Sequence, residues 1–242
     1  LDVYSDWVKA LEKSDVIRLL DFSFKQQGLF KGERIINILK EMIGDQNIED
    51  LPISFTAVAT DINEQKEIWL NQGSLFDAIR ASMAIPMIFT PYDYMGMKLV
   101  DGSVVNPIPI APTLNDKTDI TIAVDPNGKS EKDLVRTTIL KHNNSNKNSN
   151  NINYRQRITE FITGLQTKTE QTQPESMSLI DLISKTSEAM QSRITHLQLA
   201  AYTPDVVVSI PRNICSFYEF NRAKEIINIG YDKANKELSS FI

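Results

Sequence analysis

Ile53-Ser54-Phe55-Thr56-Ala57-Val58-Ala59-Thr60-Asp61 and Asp119-Ile120-Thr121-Ile122-Ala123-Val124 carry the strongest strand signals in the chain. Each is short, largely apolar and rich in β-branched side chains, the pattern of a strand buried on both faces. Ile68-Trp69-Leu70 predicts a short second strand closed by Asn71-Gln72-Gly73, and Tyr92 to Val100 predicts a hairpin around Met95-Gly96, followed by an Asp101-Gly102 turn. Between them, Ser74 with Asp77 three residues on has the form of a helix start; Phe76, Ile79 and Met83 share a face, and Pro86 stops the helix. Upstream, Trp7, Val8 and Leu11 share a helical face. Ile35, Ile36, Leu39, Met42 and Ile43 predict a helix from Glu33 to Ile43 with Gly44 just past its end. Downstream, a helix is expected over 178–201, a buried strand over 205–210 and a closing helix over 217–238. In that last helix Phe220, Ala223, Ile227, Gly230, Ala234 and Leu238 line one side. Strands separated by helices predict an α/β class, with a central, mostly parallel sheet flanked by helices.

Composition narrows the function classes. The 242 residues carry 26 basic and 31 acidic side chains, a net charge of −5, which argues against a nucleic-acid binder. A charged fraction of 24% is that of a globular chain, and at ~100–200 residues per domain the length favours one domain, 1–242. Cys215, the single cysteine, excludes an internal disulfide framework and a multi-cysteine metal site. The uncharged apolar stretch Ala81 to Tyr92 contains Pro86 and Pro91 and falls short of the ~18 apolar residues of a membrane span. With no signal peptide visible either, a cytoplasmic or membrane-peripheral location is expected. Residues 142–153 are an asparagine-rich polar tract, expected to be a disordered surface loop within the domain.

Several chemistries can be tested against the residues present. The two histidines are His142, inside the asparagine-rich tract, and His196, on an expected helix; a Ser-His-Asp triad and a zinc site are both disfavoured. Of the nine glycines only Gly28 and Gly32 stand four apart, with Phe30 midway, so the G-x-S-x-G nucleophile elbow is absent from these residues. Gly128-Lys129-Ser130 follows a strand and precedes an expected helix from Glu131, as in a P-loop, but Ala123 stands where the first glycine belongs. Asp125-Pro126-Asn127-Gly128 also suits a plain polar turn. Asp101-Gly102, taken alone, is a tight turn after an apolar strand.

The run from Phe55 to Asp61, then Gly73, Ala78-Ile79-Arg80-Ala81-Ser82-Met83-Ala84-Ile85-Pro86, Phe89, Pro91 and Leu99-Val100-Asp101-Gly102-Ser103-Val104-Val105-Asn106-Pro107-Ile108-Pro109 resembles the patatin-like phospholipase family in order and spacing. The resemblance continues more weakly through Ile120 to Asp125, Pro204 to Val208 and Gly230. It implies a serine-aspartate dyad hydrolase. In such an enzyme a serine in an elbow attacks an acyl ester, the aspartate of a D-G-[GA] motif is its general base, and a glycine-rich loop forms the oxyanion hole. That base maps onto Asp101, with Gly102 as the supporting turn; Ser103 stands where the family has Gly or Ala. The elbow and the oxyanion loop precede, in the family, the part with which this chain begins, so the nucleophilic serine is expected outside it and the chain alone is expected to be inactive. Ser82 belongs to the helix-end signature and Ser103 is two residues from the base, which argues against either as a substitute. Asp61 is expected to satisfy local backbone donors and Arg80 to be a structural ion-pair or hydrogen-bond donor. Met87, Phe89, Tyr92 and Met97 are candidates to line an acyl-chain groove.

The expected function is therefore a lipid acyl hydrolase of phospholipase A or lysophospholipase type, working through an acyl-serine intermediate without metal or organic cofactor. The partners expected are a lipid or ester substrate, with transient contact to a membrane or micelle, and no nucleic acid. A catalytically silent module that binds lipid or protein is the alternative, and nucleotide binding through Gly128-Lys129-Ser130 a further one.

Overall fold

Helix α3 (Glu33–Ile43) spans the range its apolar spacing predicts. Gly44 closes it at φ 78°, a left-handed backbone that glycine adopts without steric cost, and its N–H donates to the Lys40 carbonyl at 2.9 Å. Helix α4 (Leu75–Ser82) begins as expected at Ser74, whose hydroxyl accepts from the Asp77 N–H at 3.3 Å. The structure, a computed structural model, describes residues 2–23, 28–128, 179–215, 219–239 and 241. Lys129, Ser130, the helix expected from Glu131, His142 and the asparagine-rich tract 142–153 lie outside the described residues.

The architecture is mixed α/β. Strands β1 (Gly28–Phe30) and β4 (Met87–Phe89) pair in parallel, as do β7 (Ile122–Gly128) and β8 (Val206–Pro211). The widest sheet among the described residues is antiparallel. Its order is β3 (Lys66–Leu70), β2 (Ala57–Asp61), β6 (Met97–Asp101), β5 (Tyr92–Tyr94). Two hairpin-type connections build it. The β5–β6 hairpin turns at Met95 and Gly96, both with positive φ (49° and 80°), the geometry that matches the twist of the flanking strands.

α4 packs on one face of this sheet, and the core there is small and tight: Ala57, Ala59, Leu70, Leu75, Ala78, Ala81 and Leu99 are all buried. A second cluster joins Ile108, Ile110 and Ala123 to Leu199 and Tyr202 of α5 (Leu179–Tyr202). α6 (Ala223–Leu238) packs on β8, and α1 (Asp2–Ala10) on α6. The remaining α-helix among the described residues is α2 (Lys13–Leu19).

Three expectations need correction. The strand expected from Ile53 begins at Ala57, because its partner β3 ends at Leu70, opposite Ala57; Ile53 is left 78% exposed. β7 begins at Ile122 and runs past Val124 to Gly128. It is buried on one face only: Ala123 and Asp125 point inward, while Ile122 and Val124 are 45% and 57% exposed. Residues 125–128 therefore form strand with a register irregularity, not a turn. In the last helix Ala223 is buried but Phe220 and Ile227 are exposed, so the inward stripe passes through Ile226. Residue 217, the expected start of that helix, is outside the described residues; α6 proper begins at Ala223 after a 3₁₀ turn, Phe220–Arg222.

Ser74→Ala should cost about 1 kcal/mol of stability through loss of the α4 cap. Urea titration should show a lower midpoint at unchanged slope, and Ser74→Asp should recover most of the loss.

Candidate active site

Asp101 is the last residue of β6, and its main chain is held at both ends. Its N–H donates to the Ala84 carbonyl at 3.0 Å, and its carbonyl accepts from the Thr60 hydroxyl at 3.0 Å. The side chain then folds onto the turn that follows: Oδ1 accepts from the Ser103 N–H at 2.7 Å, capping the 3₁₀ turn Gly102–Val104. The Ser103 hydroxyl also hydrogen-bonds this carboxylate. A short polar side chain capping its own following backbone in this way is the usual use of aspartate at a turn.

Gly102 has a reason the sequence reading did not supply. Its backbone φ lies outside the left-handed region, so a sharp turn does not demand glycine here. Space does: a Cβ at this position would sit 2.3 Å from the Val58 carbonyl oxygen and 2.7 Å from its carbon. The chain leaving β6 crosses directly over the backbone of β2, and only a residue without a side chain fits.

Beside this crossing lies a cavity of about 400 Å³. Phe55, Val58, Ile79, Met83, Pro107 and Pro109 give it an apolar wall; Asp101, Ser82, Ser103 and Asn106 are polar groups at its edge. An apolar hollow with a few convergent polar groups is the usual form of a small-molecule site. Burial pushes the Asp101 carboxyl above its ordinary range, and the two Ser103 donors pull it partly back. A carboxylate raised in this way is a better base near neutral pH than a solvated one.

The other candidates fall as follows. Met87, Phe89, Tyr92 and Met97 do not line this cavity. Met87 is 41% exposed, with φ 72°. Phe89 packs on Phe30; Met97 packs against the core under α4. The Tyr92 hydroxyl donates to Asp77 Oδ1 at 2.9 Å, and burial together with that bond pushes the phenol up to about 12. Phe89, Tyr92 and Met97 are taken up by neighbours and Met87 faces out, and the cavity wall comes from residues 55–58, 79–83 and 101–109 instead. Asp61 is buried, and its Oδ1 accepts from the Asn63 and Glu64 N–H groups. Arg80 is 4% exposed, donates to the Thr90 carbonyl and hydroxyl at 2.9 and 3.1 Å, and lies between the Phe89 and Tyr92 rings. Both act as expected, on the protein itself. His196 is exposed on α5, with Nδ1 2.6 Å from the Ser192 carbonyl oxygen.

The P-loop reading fails on backbone geometry. Ala123 to Asp125 and Gly128 pair with β8 across a register shift, and a Cβ on Gly128 would meet Ser209 Oγ at 2.2 Å. Strand backbone directs its N–H groups alternately to either side and offers no phosphate cradle. Among the described residues, no three His, Cys, Asp or Glu side chains are grouped to hold a metal.

Sequence reasoning passed over Asn106 except as part of the matching run. It is 3% exposed and ties the turn to β3: its N–H donates to the Gly102 carbonyl and its Nδ2 to Glu67 Oε2, both at 2.8 Å. An amide set in the apolar run Val104-Val105-Asn106-Pro107-Ile108 was the available signal.

Comparison with known proteins gives the same region. Residues 2–114 match the family model described as patatin-like phospholipase. An uncharacterized NTE family protein of Mycobacterium tuberculosis is 29% identical over 281 aligned positions, which take in the whole of this chain and 78% of that protein. Neuropathy target esterase sws of Drosophila melanogaster is 30% identical over 134 residues, 54% of this chain and 9% of that protein. Patatin-like phospholipase domain-containing protein 7 of Mus musculus is 29% identical over 121 residues, 48% of this chain and 9% of that protein.

Two outcomes follow from the geometry. Because the folded state raises the Asp101 pKa, the cost of the ionised carboxylate to stability builds as the pH rises from the ordinary carboxylate range of ~3.9, is complete once the pH has passed the raised value, and is nil below that range. Asp101→Asn should therefore be more resistant to denaturant than the parent at neutral pH, with the advantage vanishing as the pH is lowered through the carboxylate range. Gly102→Ala should lose about 1–3 kcal/mol through the clash with Val58, read from the same titrations.

Proposed function

We propose a function from one premise: the chain belongs to the patatin-like phospholipase family, a family of lipid hydrolases. On this reading the chain supplies the general base of an acyl hydrolase of phospholipase A or lysophospholipase type. Asp101 takes the proton of a serine hydroxyl as that oxygen attacks the ester carbonyl. Backbone N–H donors meet the developing oxyanion, and collapse expels the alcohol, which regains the proton held on Asp101. Water, activated by the same carboxylate, then releases the fatty acid from the acyl-serine. The route uses no metal or organic cofactor. The serine lies, in this proposal, in polypeptide outside the 242 residues, since they contain no G-x-S-x-G.

The observation that carries the reading is the placement of Asp101. A carboxylate raised by burial stands at the edge of an apolar cavity next to residues that would accept an acyl chain. Substrate would reach it from a membrane or micelle surface; no helix among the described residues is long and apolar enough to cross a membrane. The absence of an elbow from these residues favours a second reading, a patatin-like module that binds lipid or protein without turnover.

In protein expressed from the complete reading frame, Asp101→Asn should lower kcat/KM for a fatty-acyl ester by about 10²–10⁴-fold. A fluorophosphonate should label one serine outside residues 1–242 in the parent. Label on Ser82 or Ser103 would overturn the assignment of the nucleophile. Neither label nor hydrolysis in parent protein would leave the silent module as the reading.

A further inference from the structure

The chain that carries Asp101 crosses the sheet, and the far side of that crossing is fastened as firmly as the near side. Ala59 stands opposite Asp101 across the β2–β6 pair, and Thr60 stands opposite Glu67 across the β2–β3 pair. Neighbouring strand residues point to opposite faces, so the Asp101 and Glu67 side chains leave opposite faces of the sheet. Between them the chain passes over Val58 at Gly102, makes one 3₁₀ turn and arrives at Asn106. There the Asn106 amide donates to Glu67 Oε2, and the other carboxylate oxygen accepts from the Trp69 indole N–H. The turn is thus hooked onto β3, two strands away from the one it left.

We infer that Asn106 and Glu67 are positioning residues for Asp101, a hook that fixes the far end of the turn and thereby the direction in which the carboxylate faces the cavity. The inference rests on the reading of Asp101 as a general base. Two features favour positioning over plain cohesion. The hook closes a segment whose near end is already held by three bonds at Asp101, so its effect falls on the turn between them, where Ser103 meets the carboxylate. It also leaves Asn106 Oδ1 buried without a partner among the described residues. An apolar residue would avoid that cost, whereas an amide keeps it in exchange for a fixed geometry.

Glu67→Ala is the first test, because Glu67 is only half-buried on an edge strand and its loss leaves the Asn106 main-chain bond in place. Asn106→Ala is the second variant. The primary readout needs no turnover: the pH titration of the Asp101 carboxyl carbon by NMR, assigned by its disappearance in Asp101→Asn. Burial outweighs the opposing Ser103 donors in setting this group, so a loosened turn that admits water should move its midpoint down toward the ordinary carboxylate value in both variants. In active full-length protein the same variants should lower kcat about 10-fold to 100-fold with KM little changed, and move the acid limb of the pH profile with the titration. An unmoved midpoint in folded Glu67→Ala would overturn the inference. A moved midpoint in a protein that hydrolyses no ester would uphold the hook and defeat the hydrolase reading instead.

Discussion

The crossing of Gly102 over the Val58 carbonyl is the constraint on which the site rests. Two backbones approach so closely that a single methyl group would overlap a carbonyl oxygen. From that contact follow the place of Asp101 at the strand end, the 3₁₀ turn that lets its carboxylate meet Ser103, and the arrival of Asn106 over β3. Remove the contact and the cavity loses its floor along with its base. A local clash of this kind is felt in full because packed interiors have little slack.

The electrostatics of the site run against its stability. Burial raises the Asp101 carboxyl, and an amide with an unsatisfied oxygen sits close behind it in sequence. Each is a cost that a purely structural turn would shed. Proteins hold such groups where chemistry requires them, and the surrounding fold supplies the difference. Ser103 moderates one of these costs with two donors, which Gly or Ala at the same position would reduce to one.

Much of the fold was legible because its codes are local. α3 follows from spacing, α4 from Ser74 and Asp77, and the β5–β6 hairpin from Met95-Gly96. Asp101 was legible through the order of motifs around it. The cavity was not, since its wall comes from three segments that meet only when α4 lies on the sheet and the 101–109 turn returns over β2. Their clustering in sequence near Asp101 pointed to Met87, Phe89, Tyr92 and Met97. These are apolar enough for a groove, yet three are taken up by neighbours and one faces out. Nor can an apolar run announce which of its faces stays exposed, as Ile122 and Val124 show. Gly102 was found for the wrong reason: a sequence suggests a turn, and only three dimensions reveal a near-collision.

Arg80 has a consequence for how the molecule breathes. Its guanidinium bonds the backbone and hydroxyl of Thr90, lies between two rings from the β4–β5 region, and stands 3.2 Å from where a side chain on Gly32 would begin. One cation from α4 therefore holds the start of α3 and the β4–β5 segment to the same point, and its Nη1 is buried with no acceptor among the described residues. Opening any one of these segments exposes the charge to water, which favours opening the others. The amide protons of 28–32 and 87–90 should thus exchange with solvent as one cooperative unit, separable from the antiparallel sheet that carries Asp101.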